Sequence, residues 1–551
     1  MCKNNNFYKK NFIFKIIQND LKNKKYNFIC TRFPPEPNGY LHIGHIKSIC
    51  LNFFIAKFYK GNCFLRIDDT NPTTENIKYI NSIKKDLMWL GFKWDGNIKY
   101  SSNYFELIYE YAIELINKNL AYVDELSIEE IKSYRGTLLL PGKNSPYRNR
   151  SITESLKLFR NMRLGKFPEG RMCLRAKIDM KSKIIIMRDP VLYRIKFQKH
   201  HHTGKKWFIY PTYDFCHCIS DSIEGITHSL CTLEFLDNKV LYNWILSNIS
   251  IKNYPKQYEF SKLKIEYGIT SKRNIRLLIK SKIVDGWDDP RLLTISGLRR
   301  KGYTASSLKN FCYHIGVTKQ NNIIQLSYLE FFIKKELNKV APRAMAILRP
   351  LKIIIDNFPV KKKIKLLIPN HPSNKNMGYK IIYFTKEIYI DILDFSEKEK
   401  KNYKRLILGK KVKLRYAFII KANKIIKDNN GNIIHVHCTY YKNTLGMKID
   451  KKNQKIKGII HWISCSNSKA VLFYLYNNLL KKKNINNTDN ILSYINKKSL
   501  QIYNGFIEKK LLQEQKKQHF QFEREGYFYL DKKYSNKKQI IFNQILSLRK
   551  S

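Results

Sequence analysis

The sequence is poor in acidic side chains. Its 551 residues include 44 Asp and Glu against 102 Lys and Arg, which gives a formal net charge of +58. A charge of this size favours a polyanionic partner such as nucleic acid. The chain is also rich in Lys, Asn and Ile, so a drift in overall composition accounts for part of the excess. Hydrophobic residues make up 43% of the chain, which excludes an intrinsically disordered protein.

Closely spaced cysteine pairs are absent as well. No Cys-x-x-Cys pair occurs among the 11 cysteines, so neither a zinc ribbon nor a disulfide framework is indicated. Scattered cysteines of odd number are typical of a reduced compartment, and we expect a cytoplasmic protein. The runs 200–202 (HHH) and 216–218 (CHC) contain metal-ligating side chains without the usual ligand spacing, so we predict no metal site there.

Long apolar runs are missing too. The first 25 residues are polar apart from one amphipathic piece that begins at Phe12, and they lack the apolar run of a signal peptide. No stretch is long and apolar enough to span a bilayer, so we expect no membrane association. A chain of this length holds several domains, each with its own core.

The N-terminal part is organised around the stretch TRFPPEPNGYLHIGH, which ends at His45. The residues Phe28–Cys30 predict a short buried strand, and the prolines end it. Apolar residues then recur every three to four positions, which predicts a helix whose N-terminus suits a phosphate. A lone histidine at a helix start is most often a cap. Two of them, His42 and His45, flanking Gly44 indicate instead a site where phosphates and a flat base approach the backbone.

A second strand is predicted over 63–67, followed directly by Asp68 and Asp69. In open parallel sheets ligands bind at the carboxyl ends of the strands, and a carboxylate there suits the ammonium group of an amino acid. The alternative is a turn and an N-cap for the helix predicted from about Glu75 to Leu90. Together with the preceding stretch, the position favours ligand binding by Asp68.

From about Tyr100 the pattern changes to helices, a loop and strands. The loop 135–142 (RGTLLLPG) is bounded by Gly and Pro and places three leucines in a row. Leucines on a loop usually pack into a core, and the alternative is an apolar wedge that opens a base pair. Strands are predicted at 184–186 and 193–197.

A strand that enters a helix returns at 207–224, followed by a short strand at 226–231 and a helix at 237–246. This predicts the second half of a nucleotide-binding fold, with residues 100 to about 210 inserted between the halves. Next comes a loop of small residues that carries Lys272, a cation suited to charge growing on a leaving pyrophosphate. Helices are then predicted to about Lys339.

Beyond Pro342 the apolar period becomes two. Strands are predicted at 362–368, 380–384, 388–392, 412–420, 433–439, 458–464, 526–530 and 539–546. Asn430-Gly431 is a strong hairpin signal. Many short strands with turn signals indicate barrels, and the Asn/Lys tract at 481–489 indicates a surface loop.

These motifs resemble the class I aminoacyl-tRNA synthetases, and FPPEPNGYLHIGH resembles their glutaminyl/glutamyl branch. The similarity to the glutaminyl members runs from about Phe12 to Arg549 through the strings LRIDDTNP, YRGTLLLPGKNSPYR, CLRAKIDM, MRDPVLYRIKF, YPTYDFCHCISDSIEGITHSLCTLEF, GWDDPRLLTISGLRRKGYTA, APRAMA and FQFEREGY. It implies an α/β Rossmann-like catalytic domain with an α+β acceptor-binding insertion, a helical subdomain and C-terminal all-β barrels. The implied ranges are 26–100 and 211–260 for the catalytic halves, 101–210 for the insertion, 261–340 for the helical subdomain with the SK loop, and 341–551 for two anticodon-binding barrels.

The resemblance also implies site residues. The implied catalytic residues are His42, His45 and Lys272. The implied ATP site contains Glu36, Pro37, Asn38, His42, Ile43, Gly44, His45, Ile46, Lys47, Ser48, Thr232, Lys262, Leu263, Thr270, Ser271 and Lys272. The implied glutamine site contains Arg32, Asp68, Tyr213 and Cys231. The implied tRNA contacts are Leu138, Asp237, Arg343, Asn402, Arg405 and Gln521.

The chemistry implied is the ATP-dependent ligation of L-glutamine to tRNA-Gln through a glutaminyl-adenylate. Mg²⁺ would accompany ATP, bridged by phosphates more than by protein ligands. We expect a monomer. Two positions depart from the family pattern, since Thr270 replaces the usual Met and Lys262 replaces a usual Arg. Because Arg and Lys are not equivalent at a bidentate site, we expect weaker ATP binding rather than loss of function.

Three rival functions remain. A glutamyl-tRNA synthetase needs a cation for the substrate side chain, whereas Cys231 is neutral where glutamate-specific relatives tend to place Arg. A small tRNA-modifying relative lacks an anticodon domain, whereas this chain continues for about 210 residues after Pro342 in a strand pattern. A tRNA-binding protein without catalysis is disfavoured by the intact His42, His45 and Lys272.

Overall fold

The structure is a computed structural model that describes residues 11–399, 401, 403–447, 456, 458–485, 489–512 and 518–549. It divides into two compact units. The first contains Met1–Ile265 and Lys309–Ile324, and the second contains Glu266–Leu308 and Gln325–Ser551.

Twelve α-helices lie in the described residues. They are α1 (Phe12–Lys22), α2 (Ile43–Phe58), α3 (Ile77–Trp89), α4 (Phe105–Asn117), α5 (Ile128–Arg135), α6 (Ile152–Arg163), α7 (Tyr213–Ile223), α8 (Asn238–Asn248), α9 (Lys272–Lys280), α10 (Ile295–Lys301), α11 (Ala305–Ile315) and α12 (Leu326–Val340).

The strands of the first unit precede those of the second in the chain. The first set is β1 (Cys30–Phe33), β2 (Asn62–Ile67), β3 (Lys99–Tyr100), β4 (Ala121–Asp124), β5 (Cys173–Ala176), β6 (Val191–Ile195), β7 (Ile209–Pro211), β8 (His228–Thr232), β9 (Lys256–Phe260), β10 (Lys264–Ile265) and β11 (Ile323–Ile324). The second set is β12 (Arg343–Ala344), β13 (Ala346–Ile347), β14 (Pro350–Ile355), β15 (Ile364–Pro369), β16 (Tyr379–Phe384), β17 (Glu387–Asp391), β18 (Phe395–Ser396), β19 (Leu406–Ile407), β20 (Lys411–Leu414), β21 (Ile419–Lys427), β22 (Ile433–Tyr441), β23 (Ile459–Ile460), β24 (Ile463–Ser464), β25 (Ser468–Tyr476), β26 (Leu500–Glu508), β27 (His519–Phe522), β28 (Gly526–Leu530) and β29 (Ile541–Ser547).

A parallel sheet forms the centre of the first unit. β1 pairs with β2, β2 with β3, and β8 with β9, all in parallel. The N–H of Thr227, just before β8, donates to the Cys30 carbonyl oxygen, so β8 lies beside β1 and the order is β3-β2-β1-β8-β9. All four residues of β1 are buried, as expected for a strand covered on both faces. The carboxyl ends of these strands share one edge, where the predicted site residues lie.

The insertion in the first unit forms an antiparallel sheet in the order β4-β5-β6-β7. β7 leads directly into α7, so the second half of the parallel sheet begins from this antiparallel sheet. The strand predicted at 184–186 is wrong. Residues Ile185–Met187 form a 3-10 helix, because Arg188 donates its N–H back to the Ile185 carbonyl and the chain turns before it reaches a strand partner.

Besides the two-stranded sheets β15-β16 and β18-β19, the C-terminal part of the second unit contains two seven-stranded sheets. One has the order β12-β27-β28-β29-β25-β26-β13 and the other β23-β20-β21-β22-β14-β17-β24. Each has its own apolar core, one around Trp462 and one around Phe473. The predicted barrel-like architecture is confirmed, and so is the hairpin at Asn430-Gly431, which joins β21 to β22.

Some strands were mispredicted. The prediction of a single strand at 412–420 is wrong. These residues form a hairpin of β20 and β21, because Tyr416 adopts a left-handed φ of 60° and reverses the chain. Seven strands of four or more residues were missed, namely β4, β5, β9, β14, β25, β26 and β27. No helix in the part of the chain described above is long and apolar enough to cross a membrane.

Candidate active site

The start of α2 is built by the two predicted histidines. His42 is the N-cap: its Nδ1 accepts the N–H of Gly44 at 3.1 Å. His45 Nδ1 accepts the His42 N–H at 3.0 Å in return, which completes a capping box. Since both Nδ1 atoms accept, a proton on each neutral ring sits on Nε2. The helix start therefore presents imidazole N–H donors together with the positive end of its dipole, an arrangement suited to phosphate oxygens.

Gly44 is required by the packing of this capping box. A Cβ at Gly44 would lie 2.8 Å from Cε1 and 2.9 Å from Nδ1 of His42, closer than a real contact allows. The same Cβ would lie 3.6 Å from the Leu263 carbonyl oxygen, so Leu263 faces the helix start across the missing side chain. The predicted contacts Gly44 and Leu263 are thus brought together.

Lys47 fixes the segment after β9 to α2. Its Nζ donates to the carbonyl oxygen of Ser261 at 2.7 Å and to its hydroxyl at 2.8 Å. Burial lowers the pKa of Lys47 to about 8. The segment continues into Lys262, whose Nζ lies 2.6 Å from Glu234, a residue that also accepts from the Thr232 hydroxyl. The predicted nucleotide contacts of the first unit therefore lie on α2 and on segments linked to it.

The Pro-rich turn is attached to the end of β2. The Pro35 carbonyl accepts the N–H of Asp68, and the Pro37 carbonyl accepts the N–H of Asn76. Proline has no N–H to donate, so these two residues bond to the rest of the sheet edge through their carbonyl oxygens. This arrangement positions Glu36 and Asn38 between the two sheet edges, in the neighbourhood of Asp68.

Several carboxylates gather at this edge of the sheet, namely Asp68, Asp69, Glu75 and the nearby Glu36. Burial, together with the nearby Glu36 carboxylate, raises the pKa of Asp68 to about 7 and that of Glu75 to about 9. Burial also raises the pKa of Asp69 to about 6, although the hydroxyl and N–H of Ser102 donate to it. Carboxylates that raise one another's pKa values are the electrostatic signature of a site for a cation.

Below this cluster a charged network lies in the core. Arg32 donates from Nε to Asp221 at 3.0 Å, and Arg66 donates from Nη2 to the same carboxyl oxygen at 2.6 Å. Arg66 Nη1 also donates to Glu224 at 3.0 Å. The His217 ring lies between the two guanidinium groups, with Nε2 2.6 Å from Arg32 Nη2 and Nδ1 3.0 Å from Arg66 Nη2.

The network fixes its own protonation states. Burial alone would raise the pKa of Asp221, but the Arg32 and Arg66 cations outweigh it and hold that pKa well below its ordinary value. Burial lowers the pKa of His217, so this ring is neutral. The hydroxyls of Ser229 and Tyr242 complete the hydrogen bonds of Asp221. An ionised Asp221 therefore positions both arginines.

Tyr213 and Cys231 border the network with neutral groups. Tyr213 stacks on His217 with 4.8 Å between ring centroids, and burial raises the pKa of its hydroxyl. Burial likewise raises the pKa of the Cys231 thiol to about 12, although the Arg32 cation lowers it in part. Both groups are uncharged at neutral pH, which suits an uncharged polar side chain.

The structure also brings His200 and His201 next to Asp69, which their spacing did not predict. One ligand atom from each lies within 4.8 Å of the others, and Glu75 Oε2 lies 3.7 Å from His200 Nε2. His200 Nε2 is 2.8 Å from the Asp69 carbonyl oxygen, and its Nδ1 accepts two backbone N–H groups. Both nitrogens of His200 are therefore engaged in hydrogen bonds.

The predicted tRNA contacts of the first unit are exposed. Leu138 is 81% exposed at the tip of the insertion loop, beside the exposed Leu139 and Leu140. Asp237 is exposed at the N-cap of α8, where its side chain makes no capping hydrogen bond. The core-packing interpretation of the loop leucines is thereby excluded.

In the second unit, Ser271 is the N-cap of α9 and Lys272 is its first residue. The Ser271 hydroxyl accepts the N–H of Asn274 at 3.4 Å. The sequence analysis treated this stretch, with Thr270, as a loop and missed the helix. The capping serine places Lys272 at the positive end of a helix dipole, which adds to its suitability for phosphate.

The predicted anticodon contacts differ in their surroundings. Arg343 is buried and donates to Ala341 and Asn338 at the end of α12, and it pairs with Gln521 in the register of β12 and β27. The buried Gln521 Oε1 accepts no hydrogen bond. Arg405 is partly exposed and bonds to Asp394. Asn402 lies outside the described residues.

Arg66, His217 and Asp221, which form the network with Arg32, were not predicted from the sequence. Arg66 interrupts an apolar strand, and His217 and Asp221 stand four apart in a helix that is otherwise apolar or small. Charged residues in buried positions are found almost only in pairs, so these three positions carried a usable signal.

Three family models match the chain. The catalytic domain of tRNA synthetases class I (E and Q) matches residues 28–339, and two models of the anti-codon binding domain of that family match residues 341–441 and 459–531. These matches cover both units.

Curated relatives match over nearly the whole length. A glutamine–tRNA ligase of Buchnera aphidicola from Schizaphis graminum is 60% identical over 550 residues, which is 98% of this chain and 97% of that protein. A glutamine–tRNA ligase of Pectobacterium atrosepticum is 55% identical over 98% of each chain. A solved structure of a glutamate tRNA ligase from Elizabethkingia meningosepticum aligns with a TM-score of 0.42 and 19% identity over 57% of this chain and 70% of that one. The catalytic-domain model alone spans more than half of the sequence, and the chain therefore belongs to the class I tRNA synthetases of the E and Q family.

Proposed function

We propose that this chain ligates L-glutamine to tRNA-Gln, with ATP consumed to AMP and pyrophosphate. Its full-length relatives are glutamine–tRNA ligases at 55–60% identity. The single structural observation that supports glutamine is the neutral pair Tyr213 and Cys231 beside the buried Arg32, which offers an uncharged polar side chain partners without a free cation.

The amino acid is activated first. An oxygen of the glutamine carboxylate attacks the α-phosphorus of ATP, the bond between the α- and β-phosphates breaks, and pyrophosphate leaves with its electron pair. His42 and His45 donate to the phosphates at the start of α2, and Lys272 stabilises the charge that grows on the leaving group. Such catalysis consists of positioning and charge stabilisation, so no side-chain nucleophile is needed.

The remaining ATP contacts hold the nucleoside. Gly44 and Leu263 lie beside each other at the start of α2, where the base is proposed to pack against them, while Ile43, Ile46 and Ser48 lie in the first turns of α2. Glu36, Pro37 and Asn38 form the preceding turn, and Thr232, Lys262, Thr270 and Ser271 complete the set. Lys47 supports the site indirectly, because its ammonium donates a hydrogen bond to Ser261.

The substrate ammonium lies at the carboxylate cluster. Asp68 is buried and has a raised pKa, so a bound ammonium would stabilise its ionised form. Arg32 lines the same pocket, while Tyr213 donates its hydroxyl to the oxygen of the side-chain amide. Cys231 closes the pocket with a neutral thiol.

Transfer follows activation. The terminal ribose 2′-OH of the tRNA attacks the acyl carbonyl, the ester bond forms and AMP leaves. Leu138 opens the end of the acceptor stem, Asp237 contacts its minor groove, and Arg343, Asn402, Arg405 and Gln521 contact the anticodon. The net charge of +58 supports a polyanionic substrate of this size.

Mg²⁺ enters with ATP. The start of α2 presents imidazole and backbone N–H donors, which fit phosphate oxygens and not a hard cation, so the ion is held by the phosphates. We further propose a cytoplasmic monomer whose domains follow the ranges implied by the family resemblance.

Charging of tRNA-Gln by the purified chain with labelled glutamine, ATP and Mg²⁺ tests the proposal. Acid-stable glutaminyl-tRNA that requires all three supports it. Tight binding of tRNA-Gln without charging would instead indicate a tRNA-binding protein that has lost catalysis.

A further inference from the structure

The leucine loop of the insertion is exposed at its tip and rigid at its base. Leu138, Leu139 and Leu140 are 81%, 94% and 64% exposed. Three adjacent leucines exposed to water form an apolar patch, and burying each side chain gains about 1.5–3 kcal/mol of free energy. Such a patch indicates a binding partner. The loop nevertheless has a defined conformation, so something other than leucine packing must hold it.

Part of this order comes from the backbone. The Thr137 N–H donates to the Leu140 carbonyl, and the Thr137 hydroxyl accepts the N–H groups of Leu139 and Leu140. Gly136 turns the chain with a φ of 71°, and a Cβ there would lie 2.6 Å from the Pro141 carbonyl oxygen. These bonds close the loop on itself, but they do not attach it to the rest of the insertion.

Two contacts make that attachment: the Gly142 N–H donates to the Met180 carbonyl oxygen at 2.8 Å, and the Arg188 side chain binds carbonyl groups of the loop. Arg188 is 3% exposed, and its Nη1 donates to the carbonyl oxygens of Arg135, Thr137 and Leu140 at 2.8, 2.9 and 2.8 Å. Its Nε donates to the Ser182 carbonyl at 2.7 Å. The guanidinium therefore fills the ring of carbonyl groups at the base of the loop.

The base of this attachment is itself fixed. Asp189, the next residue, accepts from the Tyr122 hydroxyl and from Arg148, and it accepts the Ile178 N–H at 2.8 Å. Its backbone has a left-handed φ of 43°. Arg188 thus projects from a well-held turn, and its four donated bonds transfer that rigidity to the loop.

We infer that Arg188 is a positioning residue for the acceptor stem: it holds the Leu138 loop in the orientation that opens the terminal base pair of the tRNA. This inference rests on the proposed role of Leu138 as a wedge. A wedge must be preorganised, because a mobile loop would change its own conformation instead of separating a stacked base pair. Arg188 does not touch the tRNA itself and acts only through the loop backbone.

The test compares two tRNA-Gln transcripts, one with a paired and one with a mismatched end of the acceptor stem. Arg188→Ala is expected to lower kcat/KM for the paired transcript by about ten- to a hundredfold, as misplacement of a positioning group does. On the mismatched transcript, where no pair has to be opened, the loss is expected to stay below about threefold. Arg188→Lys keeps a cation that reaches fewer carbonyl oxygens. Its kcat/KM for the paired transcript is therefore expected to lie between those of the wild type and Arg188→Ala.

Two controls separate the possible failures. Arg171→Ala removes a guanidinium that is bound to Glu125 on the same insertion, and it is expected to affect both transcripts alike and weakly. Leu138→Ala tests the wedge itself. If Leu138→Ala shows no difference between the transcripts, the wedge role is wrong. If Leu138→Ala discriminates and Arg188→Ala lowers both transcripts equally or not at all, the wedge stands and the positioning role of Arg188 is overturned.

Discussion

Asp221 accepts hydrogen bonds from Arg32 and Arg66 with a single carboxyl oxygen, at 3.0 and 2.6 Å. The three side chains are at most 1% exposed, and the two arginines come from the adjacent strands β1 and β2. One carboxylate on α7 therefore fixes two guanidinium groups under the proposed glutamine pocket.

Asp221→Asn is expected to destabilise the first unit and to weaken glutamine binding. The change leaves two buried cations without their shared anion, and breaking a buried pair in this way costs about 3–5 kcal/mol. The measurements are the midpoint of urea unfolding and the KM for glutamine. The matched control is Glu106→Gln, whose partly exposed pairs with Arg163 and Lys206 should contribute at most about 1 kcal/mol. Equal effects of the two variants would contradict the role given to Asp221.

The carboxylate cluster predicts a pH dependence of stability. Burial raises the pKa of Asp68 from 3.8 to about 7, so the folded protein binds a proton that the unfolded chain has released between these values. Stability contributed by this group is present below about pH 4 and is lost as the pH rises towards 7. The midpoint of urea unfolding of the wild type should therefore fall between pH 5 and pH 8 relative to that of Asp68→Asn, which has no carboxylate at this position to ionise.

Ligand binding should reverse that trend. A substrate ammonium favours ionised Asp68, so the KM for glutamine in the wild type is expected to fall as the pH rises from about 6 to about 8. Parallel stability profiles of wild type and Asp68→Asn, or a KM that rises over this range, would show that Asp68 is not the group involved.

Gly44→Ala is expected to disrupt the start of α2. The added Cβ would lie 2.8 Å from the His42 ring, so the ring must move and the capping box with His45 is lost. Overpacking of this kind costs about 1–3 kcal/mol, and loss of the phosphate donors should lower kcat/KM for ATP at least about tenfold. Gly286→Ala, whose Cβ would meet only Asp288 at 3.4 Å, is the control and should retain activity. A fully active Gly44→Ala would exclude the proposed contact of the His42 ring with ATP.

Lys272→Ala is expected to stop activation while sparing tRNA binding. Its ammonium is proposed to stabilise charge on the leaving pyrophosphate, a role worth about two to three orders of magnitude in kcat. Adenylate formation is measured with tRNA-Gln present, and tRNA affinity by filter binding. Lys280→Ala removes the same charge from the other end of α9 and should be nearly silent. Adenylate formation at the full rate in Lys272→Ala would disprove the role.

Local features of the fold could be predicted from sequence because neighbouring residues determine them. The Pro-rich turn, the helix start at His42 and the hairpin at Asn430-Gly431 each depend on backbone constraints within a few positions. The predictions failed where pairing between residues far apart in the sequence determines the structure. The aromatic and β-branched residues of β25 and β26 are typical of strands, but their composition does not show that the two strands pair over nine residues. The reversal at Tyr416 interrupts an otherwise continuous apolar pattern.

The site shows the same division. His42, Gly44 and His45 lie together at the start of α2, as predicted, and His42 also caps the helix, which was the alternative interpretation of a histidine at that position. The phosphate and base contacts stay predictions. The network joins Arg66 to His217 and Asp221 across more than 150 positions. The sequence therefore shows that these buried charges need partners but not which residues they pair with. The attachment of the leucine loop by Arg188 likewise spans about 50 positions and became visible only in the structure.

The most direct test of the central claim is a competition between two amino acids in one reaction. Purified protein, ATP and Mg²⁺ are mixed with equal concentrations of tritiated glutamine and carbon-14 glutamate, separately on tRNA-Gln and tRNA-Glu transcripts. The account predicts tritium on tRNA-Gln, with glutamate incorporation lower by about four orders of magnitude or below detection, and no charging of tRNA-Glu. Carbon-14 on either tRNA at a comparable rate would contradict it and identify a glutamyl enzyme.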